Sequence, residues 1–175
     1  MEFKFTDPAH DFANGIMVIR TYHDNLLATG ERLVTLALNL SRRAASEEEA
    51  NTAIDLHQHY TRANSLHHAD EERCLFPALL GKDDILDGMI ERLVLDHEEI
   101  ETWWDELAGF LSAPEKIEDR ERFWEVVSQF ERLQREHLIR ENEDFLPRAL
   151  EYLDAGQQAE MGDQMATLRD PSKAA

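Results

Sequence analysis

Four histidines and two glutamates in this chain stand where a helical protein keeps its apolar side chains. His67 and Glu71 are four residues apart, as are His137 and Glu141. In an α-helix four residues advance about 40° around the axis and about 6 Å along it, so each couple points into one volume. His23 interrupts the apolar series Ile16, Ile19, Leu26, Leu33, and His97 interrupts Ile90, Leu93, Ile100, Trp104. Imidazoles and carboxylates converging in a dry core need something positive to bind, and a metal cation is the obvious candidate. With 37 Asp and Glu in 175 residues, about one histidine in five gains an acid at i+4 by chance, so one couple alone is a weak signal. Two couples, joined by a lone inward histidine on each of two further segments, are a strong one.

Two doublets, His67-His68 and Glu71-Glu72, leave a choice of register. The stripe through His68 and Glu72 also carries Gln58, Thr61 and Ser65 and reads as a solvent face. The stripe through His67 carries Tyr60, Asn64 and Cys74. The reading adopted is His67 and Glu71 as ligands, with His68 and Glu72 on the surface or behind the ligands. Tyr60 and Cys74 lie seven residues either side of His67 on its own face, within about 20°. His57 lies further along that stripe, and Glu101 follows His97 by four. These four are candidates for additional ligands or for groups behind the ligands. For Tyr60 and Cys74 the plainer role is a core phenol and a buried thiol. His10 and His59 read as solvated, and Trp103, Trp104 and Trp124 as packing, with Trp104 closing one end of the site.

The elements that must position these groups are four long helices. Thr6-Asp7-Pro8 announces a segment from about 11 to 41, and Ser46 with Glu49 forms a capping box opening a segment that Gly81 stops. A third segment starts near Asp83-Asp84 and ends around Leu111, and a fourth runs from about Glu115 to Leu153. Gln157 to Leu168 adds a short helix before a frayed end. Connections this short force antiparallel neighbours, so the expected fold is all-α, an up-down-up-down four-helix bundle with a short C-terminal helical tail. The expected domain spans residues 10–155, with 156–175 as the tail.

Composition narrows the function. Lys and Arg number 18, giving a formal net charge of −19, which repels phosphate backbones and anionic membranes. One cysteine cannot form an internal disulfide. The longest near-apolar run, Leu33 to Leu40, falls far short of the roughly 20 residues a membrane span needs. The N-terminus lacks a basic region followed by an apolar one. A soluble cytoplasmic protein is the expectation.

The segments His67-His68-Ala69-Asp70-Glu71-Glu72-Arg73-Cys74-Leu75-Phe76-Pro77 and His137-Leu138-Ile139-Arg140-Glu141-Asn142-Glu143-Asp144-Phe145-Leu146-Pro147 form an internal repeat seventy residues apart. Each resembles the HxxxE-then-LFP motif of the hemerythrin-like, HHE cation-binding family of non-haem di-iron bundles, the second with Phe and Leu exchanged. His23 within Tyr22-His23-Asp24 and His97 within Asp96-His97-Glu98-Glu99 match that family's histidines of helices one and three. The resemblance covers about residues 10 to 150. It implies a core site of two iron ions, bridged by oxo or hydroxo and by carboxylates, that meets O2, NO or peroxide; zinc and manganese are the lesser alternatives. Glu101 stands where the oxygen-carrying hemerythrins of marine worms have a second histidine, and Glu141 where they have Asp. The pattern is closer to bacterial relatives linked to iron–sulfur repair and nitrosative stress. With two bridging carboxylates, four imidazoles and one bridging oxygen, two octahedral ions keep one open position each, fewer if Glu101 also binds. Three functional readings fit these residues. The first is a di-iron protein binding or reacting with such ligands in sensing, stress protection or iron delivery. The second is an enzyme turning over peroxide or NO, and the third an all-α interaction protein holding zinc or nothing.

Overall fold

A computed structural model describes residues 4–170 and Ser172. Among them all regular structure is helical. Helix α1 is Gly15–Leu40, and α2 begins as Glu47–Asp70. Without a break, α2 passes through a π turn at Glu71–Leu75 and finishes as Phe76–Leu79. Helix α3 is Asp84–Ser112. Helix α4 begins as Arg120–Arg140, passes through a second π turn at Glu141–Phe145 and continues as Leu146–Ala149. Helix α5 is Ala155–Arg169. Helix α1 packs on α2 and α4, α3 packs on the same two, and α5 lies across α1 and α2. This is the expected antiparallel bundle with one added helix.

Local signals set most boundaries. The Ser46–Glu49 capping box is formed, and Asp154 with Gln157 makes another at the start of α5. Gly81 ends the α2 hairpin at φ 81°, a left-handed conformation that glycine adopts without strain. Two starts differ from expectation. Helix α1 begins at Gly15, because Asn14 accepts the Ile16 and Met17 N–H groups, while Asp7 caps only a local turn through the Ala9 N–H. Helix α4 begins at Arg120 behind Asp119, with only a 3-10 turn, Pro114–Lys116, where the helix was expected to start. The C-terminal helix is more than a loose tail. Met161 and Met165 are buried, and Gly162 lets its backbone run against the Phe12 carbonyl, where a Cβ would collide. The expected frayed end, apart from Ser172, lies outside the described residues.

The two π turns are the main surprise. In each, the N–H of the residue after the turn reaches the carbonyl five back: Phe76 to Glu71 and Leu146 to Glu141. Pro77 and Pro147 come directly after. A proline has no N–H and clashes with the carbonyl four residues back, so a wide turn just before it relieves a kink that a strict α-helix would suffer. Each turn starts on the glutamate of an HxxxE couple. It therefore leaves that couple in α register and shifts everything beyond it.

Candidate metal centre

The bundle brings His23, His67, Glu71, His97, His137 and Glu141 to one buried locus. Their donor atoms form two overlapping groups: His23, His67, Glu71 and Glu141, and Glu71, His97, His137 and Glu141. Both carboxylates belong to both groups, and both are 0% exposed. Glu71 divides its oxygens. Oε1 lies 3.0 Å from His67 Nε2 and 3.5 Å from His23 Nε2, while Oε2 lies 2.9 Å from His97 Nε2. Glu141 divides the same way, with Oε2 3.0 Å from His23 Nε2 and Oε1 against His137 Nε2. Each half of the locus thus collects two imidazoles and one oxygen from each carboxylate.

None of these approaches has hydrogen-bond geometry. The Nε2 atoms of all four histidines and all four carboxylate oxygens are buried without a hydrogen-bond partner. So many orphaned polar atoms aimed into one dry volume would cost several kcal/mol as a core. Neutral imidazole and carboxylate are also the donors that borderline-hard divalent and trivalent cations prefer. The residues present fit a pair of cations.

The opposite ring nitrogens are held in place. His97 Nδ1 donates to Glu72 at 2.7 Å, His23 Nδ1 to Asn142 Oδ1 at 2.6 Å, and His137 Nδ1 to Asp96 at 3.1 Å. Carboxylate and amide oxygens only accept, so these bonds fix the proton on Nδ1 and turn Nε2 inward. Asp96 is itself anchored by Arg140 at 2.7 Å and Arg92 at 3.0 Å. His67 is the exception. Its Nδ1 has no partner, and its ring stacks on Tyr22 at 5.8 Å and 7°. The Tyr22 hydroxyl turns away to Asp7, which also receives Arg169.

Electrostatics reflect this crowding. Burial opposes charge on His23, but Glu141 and Glu71 outweigh it and push its pKa up to about 10. Burial opposes charge on His137 too; Glu141 and Asp96 push it up to about 10. His97 is raised against its burial by Glu71. Glu71 is pulled well below the usual carboxylate range, its burial overcome by His67 and the other imidazoles. Without a cation the locus holds protons in its place.

The remaining candidates lie outside both groups. Glu101 is largely exposed and accepts from His68 Nδ1 at 3.0 Å. Tyr60 is buried against Trp104 and Phe130, and His57 stacks loosely on Trp104. Cys74 sits within the first π turn, so its phase no longer matches that of His67; burial pushes its thiol up to about 11. Of the two places open to His68, the surface or behind the ligands, the structure takes the second: it is buried, its ring stacks on His97 at 3.9 Å and 13°, and burial lowers its pKa to about 4. One expectation needs correction. His59 is half-buried and bonded to Asn25 Oδ1 at 2.7 Å rather than solvated. Sequence reasoning missed Asn142, Asp96 and Tyr22. The first is legible in hindsight, since Asn142 comes after Glu141 as Glu72 comes after Glu71.

A family model described as "Hemerythrin HHE cation binding domain" matches residues 14–149. A search of curated proteins finds no match. No described helix is long and apolar enough to cross a membrane.

Proposed function

Since the chain belongs to the hemerythrin HHE cation-binding domain family, we propose that its core holds two iron ions and that this pair binds or reacts with O2, NO or peroxide. His23 and His67 would hold one ion, His97 and His137 the other, with Glu71 and Glu141 spanning both. The observation that carries the reading is the set of inward Nε2 and carboxylate oxygen atoms, buried and without hydrogen-bond partners. Iron supplies reversible one-electron chemistry and positions open to a small exogenous ligand.

The chain's own residues do the rest. Glu72, Asn142 and Asp96 keep the Nδ1 protons in place, so each Nε2 lone pair faces the centre. Four imidazoles against two carboxylates carry less negative charge than a glutamate-dominated site, which favours the ferrous state and gas binding. Glu101, occupied by His68, leaves the fourth residue after His97 out of the donor set. That pattern, with Glu141 in place of an aspartate, supports a role like that of the bacterial stress and iron–sulfur-repair relatives. The net charge of −19 supports a place apart from nucleic acid and anionic membranes, which the proposal puts in the cytoplasm.

Metal analysis of aerobically and anaerobically purified protein, with absorption spectra before and after O2 and NO, tests the reading. Two irons per chain and a near-ultraviolet oxo-bridge band are expected. Glu71→Ala removes a group common to both halves and lowers metal content; a variant that keeps two irons refutes the assignment.

A further inference from the structure

The seventy-residue repeat extends one turn beyond the His/Glu couples and places an amide there in both copies. Asn64 precedes His67 by three residues, and Gln134 precedes His137 by three. That spacing is about 4.5 Å along a helix axis. The two amides therefore form a layer beneath the imidazoles, on the side away from the π turns. Both are buried, and Asn64 Nδ2 donates to Gln134 Oε1 at 3.3 Å, linking α2 to α4. One further turn down, the repeat-related Tyr60 and Phe130 meet edge-on at 5.2 Å, with Trp104 against both rings. The amide layer is thus enclosed between the candidate ligands and an aromatic plug.

A buried amide is tolerated when its groups are paired. Asn64 Oδ1 is not: it has no hydrogen-bond partner. It is the one orphaned side-chain atom among the described residues that belongs to none of the six candidate ligands. Gln134 and Tyr60 also line a narrow cleft between α1 and α4, beside Gly30, with room of about 10 Å³, the size of one water molecule. That cleft has room only for a molecule of two or three heavy atoms.

We propose that Asn64 and Gln134 form the docking floor for the exogenous ligand, and that Asn64 Oδ1 selects a proton-bearing oxygen ligand, hydrogen peroxide, over O2 and NO. A carbonyl oxygen only accepts hydrogen bonds. Peroxide brings an O–H donor to it; O2 and NO have no hydrogen to give. Gln134 Oε1 is engaged by Asn64, which leaves Gln134 its amide nitrogen to donate at the cleft. This selection rests on the di-iron reading of the same locus.

The test uses the full iron-loaded chain and Asn64→Leu. Stopped-flow absorbance gives the second-order constant with hydrogen peroxide, and anaerobic titration gives the affinity for NO. One hydrogen bond lost corresponds to a roughly tenfold fall with peroxide, while NO affinity stays within about twofold and iron content is unchanged. Thermal unfolding of the metal-free variant is the second readout. Gln134→Leu is compared beside it: both variants lose the Asn64–Gln134 hydrogen bond, but only Asn64→Leu also removes an unpartnered acceptor. Its midpoint should therefore lie above that of Gln134→Leu, whereas a purely structural amide tie would lower both alike and leave the peroxide-to-NO ratio as it was. If leucine does not load iron, Asn64→Met is expected to give the same tenfold change in ratio. An unchanged ratio in a variant with full iron overturns the floor alone; wild-type protein without iron overturns the di-iron reading beneath it.

Discussion

Loading the centre with metal must expel protons, and the electrostatics of the metal-free locus set how many. In the metal-free chain His23 and His137 are held up to about 10 by the carboxylates they face. A pH of 7.5 lies about 2.5 units below that value, so each is more than about 99% protonated. Their Nδ1 protons are committed to Asn142 and Asp96, so the proton each gives up is the one on Nε2. Expelling it costs about 3 kcal/mol per histidine at this pH. Glu71 and Glu141 are shifted the other way, already ionised, and release nothing. His97, raised as well, adds to the count. At least two protons per chain should therefore appear in solution when anaerobic ferrous iron fills the site. The product of the binding constants should rise about a hundredfold per pH unit between about pH 6.5 and 8. A pH indicator in weakly buffered protein counts the protons directly, and calorimetry in two buffers of different ionisation heat checks the number. His23→Gln should release one fewer. Release of less than one proton, or an affinity flat across that range, would refute the paired imidazolium–carboxylate picture.

Stability of the metal-free chain should carry the opposite signature. A histidine raised in the folded state stabilises fully below its ordinary 6.5 and loses that contribution as pH climbs towards about 10, so the urea midpoint should fall across that window. The lowered Glu71 and Glu141 add stability above their ordinary 4.5, and it is lost on acidification. Arg169→Met should cost about 3–5 kcal/mol by urea unfolding, because Arg169 pairs bidentately with the fully buried Asp70 at 2.7 Å and its loss strands that carboxylate. Gly162→Ala should cost about 1–3 kcal/mol and loosen α5, since the new methyl meets the Phe12 carbonyl, and limited proteolysis would reveal the released helix. An unchanged midpoint in either variant would mean that α5 contributes little to the fold.

What the amino-acid order discloses, and what it hides, divides along physical lines. The i,i+4 couples and the apolar stripes are periodic over many turns, so the bundle and the six converging side chains could be read from spacing alone. The π turns could not. A single extra residue per turn leaves HxxxE intact and shows only in the phase of the residues beyond it, which is why Cys74 reads as sharing the His67 face and does not. His68 belongs to a stripe whose other members, Gln58, Thr61 and Ser65, are exposed as expected. It is buried because His97 stacks on it from another helix, a contact separated by 29 positions in the chain. The groups behind the imidazoles escape for the same reason: Asp96 serves His137 and Asn142 serves His23 across the bundle, and local periodicity contains neither pairing.

The repeat is also where the two halves of the centre part company, and the differences share one sign. His97 is backed by the Glu72 carboxylate and His137 by the Asp96 carboxylate. Their counterparts His23 and His67 are backed by the Asn142 amide and by the Tyr22 ring, both neutral. An imidazole that donates to a carboxylate is a stronger electron donor than one donating to an amide or to nothing. In the proposed pair, the position held by His97 and His137 therefore favours the higher charge, and the position held by His23 and His67 the lower. Mössbauer spectra of the half-oxidised protein should resolve two unlike iron sites. Asp96→Asn keeps an acceptor of the same shape for His137 and removes the charge, so it should bring the two sites closer in spectrum and potential. It should also weaken binding on that side by about 10–100-fold. Unaltered spectra in Asp96→Asn would show that the asymmetry lies in the ligands themselves and not in the groups that stand behind them.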